Sequence, residues 1–149
     1  MSTRLNKLIN DKLHQDYATS SGTKTHARMQ RVFFNKDGTA TGDADIIAKI
    51  ANRADLVEYM GMLSKTEVPI AGYIGGKFIS RRIDRLYVND KNRTVVVIDY
   101  KTDLDKERFF NKYVEQLTEY RKLLSDIYTG YSITCKILWL NDFTLENII

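Results

Sequence analysis

The sequence of 149 residues contains one cysteine and one proline, and it has no tract rich in glycine and serine. A single cysteine, Cys135, excludes an internal disulfide and any zinc or iron–sulfur site built on several cysteines. No apolar run is long enough to span a bilayer, and the first residues are polar rather than signal-like. We therefore expect an intracellular, cytoplasmic protein without a membrane partner.

The composition and charge describe a folded domain with a small excess of positive charge. Hydrophobic residues make up 43% of the chain and charged residues 28%, with a formal net charge of +4. This excess favours an anionic partner, although many basic proteins of this size bind nothing anionic specifically. A chain of this length has room for one domain that buries roughly two-thirds of its unfolded surface. We expect a single domain over residues 1–149.

The first 64 residues have the hydrophobic periodicity of helices. Ser20 or Ser21 is a candidate cap for the second helix, and Asp43 for the third segment, which is either one broken helix or two short ones. The predicted helical segments are 3–17, 23–34 and 43–63.

From Lys65 onward the pattern changes to extended strands and one long helix. Two successive hairpins are expected, the first closed by a Gly-Gly loop. Pro69 cannot donate to a ladder, which places the first strand at an edge or a bulge. A helix over 105–128 and a strand beginning at 132 follow. Residues 65–142 thus predict an α/β mixed sheet with helices on both faces, preceded by a helical segment.

The hairpin registers bring acidic residues together. With a two-residue loop, Glu67 lies opposite Asp84, and a five-residue second loop places Asp84 opposite Ile98 or Asp99. One bulge would shift either register by a residue. Facing carboxylates on neighbouring strands destabilise a sheet unless they are protonated, paired or bound to a cation. Such oxygen ligands suit Mg²⁺ or Mn²⁺.

Asp99 and Lys101 project from the same face of their strand, because strand side chains alternate. Lys101 can then orient or help to deprotonate an attacking water and offset negative charge during phosphodiester hydrolysis. The competing interpretation is that this Asp-x-Lys pair merely begins a solvated loop.

Four segments in order resemble the nuclease domain of the RecB/AddA group in the PD-(D/E)XK superfamily. They are "GTKTHARMQ" (22–30), "RRIDRL" (81–86), "VVVIDYKTD" (95–103) and "YVEQLTEY" (113–120). The resemblance implies a restriction-endonuclease-like mixed sheet flanked by helices. It also implies a Mg²⁺- or Mn²⁺-dependent DNA nuclease that acts in end processing, double-strand-break repair or recombination.

The resemblance assigns roles to matching residues. It implies that His26 is a metal ligand, that Asp84 and Asp99 are the acidic ligands, and that Tyr100 lends its backbone carbonyl. Lys101 matches the catalytic lysine. Without the resemblance, a core histidine would be the better interpretation of His26, which shares a helical stripe with apolar residues.

Further positions match less distinctive parts of the pattern. Glu67 matches an acidic position before the "IDR" strand and is a possible extra ligand. Gln116 and Tyr120 match a Q-x-x-x-Y motif associated with DNA contact, although Tyr120 also lies in the apolar stripe of its helix. Arg81, Arg82 and Arg85 are alternative contacts to backbone phosphates.

The given sequence contains no Walker-type glycine loop and is far too short to include a helicase motor. We expect either an excised domain or a stand-alone version, which binds DNA and could partner a helicase or another repair subunit. Two alternatives stay open: a non-catalytic nucleic-acid-binding or docking module, and an RNA endonuclease. The sequence does not decide between exonuclease and endonuclease action, strand preference, the number of metals or the oligomeric state.

Overall fold

The computed structural model describes residues 24–102 and 106–149. The predicted helix over 3–17 and the caps at Ser20 and Ser21 lie outside these residues. No helix in the described part of the chain is both long and apolar enough to cross a membrane.

Short elements fill the first third of the described chain. Asp43 caps α2 as predicted, because its carboxylate accepts a hydrogen bond from the Ile46 amide. The elements are α1 over 24–29, β1 Phe33–Phe34, β2 Ala40–Thr41, α2 Ala44–Ile50, α3 Ala54–Val57 and a 3₁₀ turn, Glu58–Met60. The prediction of one helix over 23–34 is therefore wrong beyond residue 29, where the chain turns into a small hairpin.

A five-stranded sheet forms the rest, in the order in which its strands occur in the sequence. All neighbours are antiparallel except β5 and β6, which run parallel and are connected by the long helix. The elements are β3 Ser64–Ile74, β4 Lys77–Asn89, β5 Thr94–Lys101, α4 Lys106–Ile127, β6 Ser132–Trp139 and β7 Thr144–Asn147. The predicted α/β class with a mixed sheet is confirmed, and β3, which carries Pro69, is an edge strand as expected.

Both faces of the sheet are covered by helices. One core packs α1, α2 and α3 against β4, β5 and β6 and includes Met29, Ile50 and Tyr100. The other packs α4 against the same sheet and includes Leu117 and Cys135. Alternate residues of β5 enter opposite cores, which is why its valines read as one continuous apolar run.

The hairpin registers agree closely with the predicted ones. Ile74 pairs with Lys77, and Thr66 and Val68 pair with the residues on either side of Asp84. The second loop has four residues rather than five, because Asn89 still pairs with Thr94. The last pair between β4 and β5 is Arg85 with Ile98, so Asp84 is level with Asp99, one of the two predicted alternatives.

The alternation of β3 and β4 reverses at Glu67 and Asp84. Ile83 faces α4, whereas Arg85, two residues further on, contacts the α1 side of the sheet. Glu67 on the neighbouring strand has φ 54°, a left-handed conformation that side chains rarely adopt. The pairing register of β3 and β4 is the same on both sides of this point. The side chains of corresponding positions, however, project from opposite faces of the sheet before and after it, and Asp84 lies outside the regular alternation.

Candidate active site

The strand β5 carries the site at its carboxyl end. Its residues from Val95 to Ile98 are buried on both faces and hold the strand in the middle of the sheet. Asp99 is also buried, at 3% exposure, and it projects toward α4 together with Lys101. The apolar run therefore fixes the position of two charged side chains whose burial requires compensation.

Asp84 and Asp99 form a buried carboxyl pair. Asp84 Oδ2 accepts a hydrogen bond of 2.8 Å from the backbone amide of Tyr100, which anchors β4 to β5 beyond their last ladder pair. Burial first, and then the negative charge of Asp99, raise the pKa of Asp84 to about 8, and a hydrogen bond shared with Asp99 adds to the effect. Near neutral pH, the fold therefore favours one proton, or an equivalent positive charge, on this pair.

Lys101 supplies part of that positive charge. Its Nζ lies 2.8 Å from Asp99 Oδ2 and donates a hydrogen bond of 3.1 Å to Gln116 Oε1 on α4. The ammonium also lies 4.4 Å from the centre of the Tyr113 ring, within the range of a cation–π contact. The contact with Asp99 is an ion pair without hydrogen-bond alignment, because Oδ2 of Asp99 accepts no hydrogen bond from the described residues.

The Q-x-x-x-Y pair forms a chain of hydrogen bonds behind Lys101. Gln116 Nε2 donates to the Tyr120 hydroxyl at 2.7 Å, and that hydroxyl lies 3.4 Å from the carbonyl of Arg82 on β4. Burial raises the pKa of Tyr120 well above its usual value, so the hydroxyl keeps its proton and can donate. The predicted DNA contact by Tyr120 is corrected, since this side chain is 2% exposed and reaches the site only through Gln116.

His26 reaches the same group from α1. Its Nε2 lies 2.8 Å from the Tyr100 carbonyl, which can only accept, so Nε2 carries the proton. Burial lowers the pKa of His26, which makes the neutral ring the dominant form at pH 7. Nδ1 then carries a lone pair and no proton, and it lies 3.8 Å from Asp84 Oδ1.

Glu67 lies beside the site but does not join the carboxyl pair. Its carboxylate lies 3.7 Å from the guanidinium of Arg82, an exposed side chain on β4. The expected convergence of three carboxylates is therefore corrected to two, because the backbone reversal at Glu67 turns its side chain toward the guanidinium of Arg82.

Arg85 is the clearest departure from the sequence-based expectations. It has 0% exposure and donates to the carbonyls of Met29 and Val32, to the Ser64 hydroxyl and to the Tyr100 hydroxyl. A phosphate contact at this position is therefore wrong. Arg85 instead ties the end of α1, and with it His26, to β4, the strand that carries Asp84.

The sequence-based interpretation missed two residues that shape the site, Arg85 as a buried strut and Tyr113 beneath Lys101. Tyr113 had a readable signal, because it precedes Gln116 by three residues and thus lies on the same side of α4. Arg85 had none, since its four acceptors lie on other segments of the chain, 15 and 21 residues away for the two hydroxyls and 53 and 56 residues away for the two carbonyls.

The ligand atoms available here, the carboxylate oxygens of Asp84 and Asp99 and a ring nitrogen of His26, suit a hard divalent cation. They are not arranged as a complete metal site. Within residues 24–102 and 106–149, no three His, Cys, Asp or Glu side chains converge into a ready-formed metal site. Asp99 Oδ2 is nevertheless buried without a hydrogen bond from these residues, and Asp84 is held in an environment that resists its negative charge. These two carboxyls and His26 are the residues that could hold a cation, after small side-chain adjustments.

No protein-family model matches the chain, and no curated protein matches it in sequence. The chemistry of the site therefore carries the functional interpretation.

Proposed function

We propose that this protein is a metal-dependent nuclease that hydrolyses the phosphodiester bonds of DNA, in the processing of broken ends or in recombination. The observation that carries the proposal is the buried pair Asp84 and Asp99 beside the ammonium of Lys101. A buried carboxyl pair is costly to a fold, and such groups are concentrated at functional sites.

The proposal includes a restriction-endonuclease-like fold, and the architecture of the sheet supports it. Its mixed strand directions and its helices on both faces agree with the architecture that the resemblance implies. The proposed residues lie on β5 itself and on three elements that meet at its carboxyl end, namely α1, β4 and α4.

The proposed cofactor is Mg²⁺ or Mn²⁺, held by Asp84, Asp99 and His26. The carbonyl of Tyr100, which accepts the His26 hydrogen bond in this structure, is a further oxygen within the same group. When bound, such a cation polarises a phosphate and lowers the pKa of a water molecule. Asp84 and Asp99 must both be deprotonated to hold it, which is the charge state that their mutual burial opposes without a cation.

Lys101 has the role of positioning the nucleophile and stabilising charge. Its partners Gln116 and Tyr113 hold the ammonium from the α4 side, while the carboxylate of Asp99 holds it from the strand. With Asp99 engaged by a cation, the ammonium can turn to a water molecule or a phosphate oxygen. Negative charge that develops on the phosphate would then face a prepositioned cation.

The decisive test compares cleavage by wild type, Lys101→Ala and the surface control Lys112→Ala. Purified proteins are incubated with labelled linear and circular DNA, single- and double-stranded, with Mg²⁺ or Mn²⁺, and metal affinity is measured by calorimetry. We expect cleavage by wild type and Lys112→Ala. Lys101→Ala should lose at least about a hundredfold in rate, the scale on which removal of one transition-state donor acts, but should still bind Mn²⁺.

Two results would contradict the proposal. Wild type that leaves every DNA substrate intact at high concentration would indicate a binding module, and faster cleavage of matched RNA would indicate an RNA endonuclease. Equal loss of cleavage and Mn²⁺ binding in Lys101→Ala would contradict only the role given to that lysine.

A further inference from the structure

The hairpin formed by β3 and β4 extends past the proposed site. β4 pairs with β5 only through residues 85–89, so its first part is paired with β3 alone. We define the arm as residues 69–82, the part of this hairpin beyond Asp84. At about 3.3 Å per residue, the six residues from Asp84 to Phe78 carry the arm roughly 20 Å from the carboxyl pair.

The two faces of the arm differ. Ile70 and Ile79 belong to the core beneath α4, and Gly72 lies so close to the helix that an added Cβ would meet Leu123 at 2.8 Å. The alternate positions are all exposed: Pro69, Ala71, Tyr73, Phe78, Ser80 and Arg82. We call these six residues the outer face.

Two aromatic side chains, Tyr73 and Phe78, lie on the outer face, although rings of this size are usually largely buried. Tyr73 is 71% exposed and Phe78 57% exposed, and they are direct cross-strand partners whose ring centres lie 5.5 Å apart. A scattered apolar residue at a surface needs no explanation, but two adjoining large rings, whose planes meet at 63°, form an exposed aromatic patch on which either ring can offer a face.

The charge of the arm selects the kind of partner. Residues 69–82 include three basic side chains, Lys77, Arg81 and Arg82, and no acidic one. Lys77 and Arg81 alternate onto the α4 side, where Arg81 pairs with Glu119. Arg82 belongs to the outer face, where its side chain is 69% exposed and lies 3.7 Å from the carboxylate of Glu67, just outside the arm. Aromatic platforms flanked by basic side chains are the means by which proteins hold unpaired bases and their phosphates.

We propose that the outer face of the arm binds single-stranded DNA, with a base stacked on Tyr73 or Phe78 and a phosphate near Arg82. Stacking on an exposed ring needs an unpaired base, because a base inside a duplex is covered on both sides by its neighbours. This inference rests on the proposed nuclease function and deepens it, since it assigns a single-stranded end as the substrate that the arm leads to the carboxyl pair.

Binding can be tested apart from cleavage, in EDTA, by fluorescence anisotropy with a labelled oligothymidylate of about 20 nucleotides, longer than the ≈4–16 nucleotides that typical single-strand sites cover. The variant Tyr73→Ala/Phe78→Ala should bind at least about tenfold more weakly, as expected when a stacked base is lost. Tyr73→Phe/Phe78→Tyr keeps both rings and should remain near wild type. Met62→Ala/Ile127→Ala removes equally exposed apolar side chains elsewhere and serves as the matched control.

The phosphate contact has a separate signature in the salt dependence. Arg82→Ala should lower the slope of log affinity against log salt by about 0.7, the value for one contact to a single strand. Binding to a duplex of the same length should change little in the double aromatic variant.

Several outcomes would overturn the inference. They are unchanged affinity in Tyr73→Ala/Phe78→Ala, equal weakening for single strand and duplex, and no binding of the oligothymidylate by wild type. Sedimentation gives a further one: if the double variant loses self-association but keeps its DNA affinity, the outer face binds a second copy of the chain. None of these results depends on cleavage, which the Lys101→Ala comparison tests independently.

Discussion

At the scale of single residues, three arginines in one short segment have three different environments. Arg81 and Arg82 lie at the surface and pair with glutamates, while Arg85 is fully buried. Residue type alone predicts that all three are exposed, because arginine is rarely buried. The acceptors that bury Arg85 come from Met29 and Val32, distant parts of the chain that no local pattern connects to it.

Arg85→Met should destabilise the protein by about 2–4 kcal/mol, since it removes the donors from several buried acceptors while roughly keeping the side-chain volume. The measurement is urea unfolding of the variant beside Arg82→Met, the same change at an exposed position, which should stay within about 0.5 kcal/mol. If Arg85→Met unfolded at the wild-type midpoint, the hydrogen bonds of Arg85 would not be a stabilising strut.

The other site residues show which kinds of information a sequence holds. The proximity of Asp84, Asp99 and Lys101 follows from strand alternation and from the length of the loop between β4 and β5, both of which are local properties. His26 was placed at the site only by resemblance, because nothing in its own helix indicates that it meets the Tyr100 carbonyl.

At the scale of elements, predictions succeeded where periodicity was long and failed where elements were short. The long helix and the strands from β3 to β6 have clear patterns, whereas β1, β2 and β7, of two to four residues, have too little alternation to be recognised. In α4 the apolar spacing of three and four residues through Leu117, Tyr120 and Leu124 also reaches Ile127, which is nevertheless 60% exposed. Leu123, which is not part of that spacing, is buried against the arm. The helix meets the sheet over a wider strip than one stripe describes.

The reversal of β3 at Glu67 gives an element-scale prediction. At φ 54° a residue with a Cβ is strained, so Glu67→Gly should be more stable than Glu67→Ala by about 1 kcal/mol. Lys65 is an exposed residue of the same strand and does not have a positive φ. There the order of stability should reverse, with Lys65→Gly less stable than Lys65→Ala by about 0.5–1 kcal/mol.

Chemical denaturation of the four variants measures both differences. Comparing glycine with alanine at each position removes the effect of the lost side chain and isolates the backbone term. The same sign at both positions would mean that Glu67 does not adopt the left-handed conformation in solution.

At the scale of the whole molecule, the carboxyl pair links the stability of the fold to pH. The folded pKa of Asp84 is about 8, while an unfolded aspartate titrates near 3.9. Between these values the unfolded chain has lost the proton and the folded protein retains it. The contribution of Asp84 is therefore fully present below about pH 4 and is lost as the pH rises toward about 8.

In EDTA, the free energy of unfolding of wild type should thus fall relative to Asp84→Asn as the pH is raised from about 5 to about 8. Asp37→Asn is the matched control. The Thr39 hydroxyl, followed by the Thr39 amide, lowers the pKa of Asp37, so this carboxylate is charged in both states over that range and its difference curve should be flat. A flat curve for Asp84→Asn would contradict the buried, protonated carboxyl.

In the proposed function, a bound cation offsets the cost of burying Asp84 and Asp99, so Mn²⁺ should stabilise the folded protein. A cation that binds only the folded state stabilises it by RT ln(1 + [L]/Kd), and binding requires the proton to leave Asp84. The rise in melting temperature on adding Mn²⁺ should therefore grow from about pH 6 to about pH 8 in wild type and disappear in Asp84→Asn. A rise of equal size in that variant would place the cation elsewhere, and the carboxyl pair would then be a structural cost without a metal to offset it.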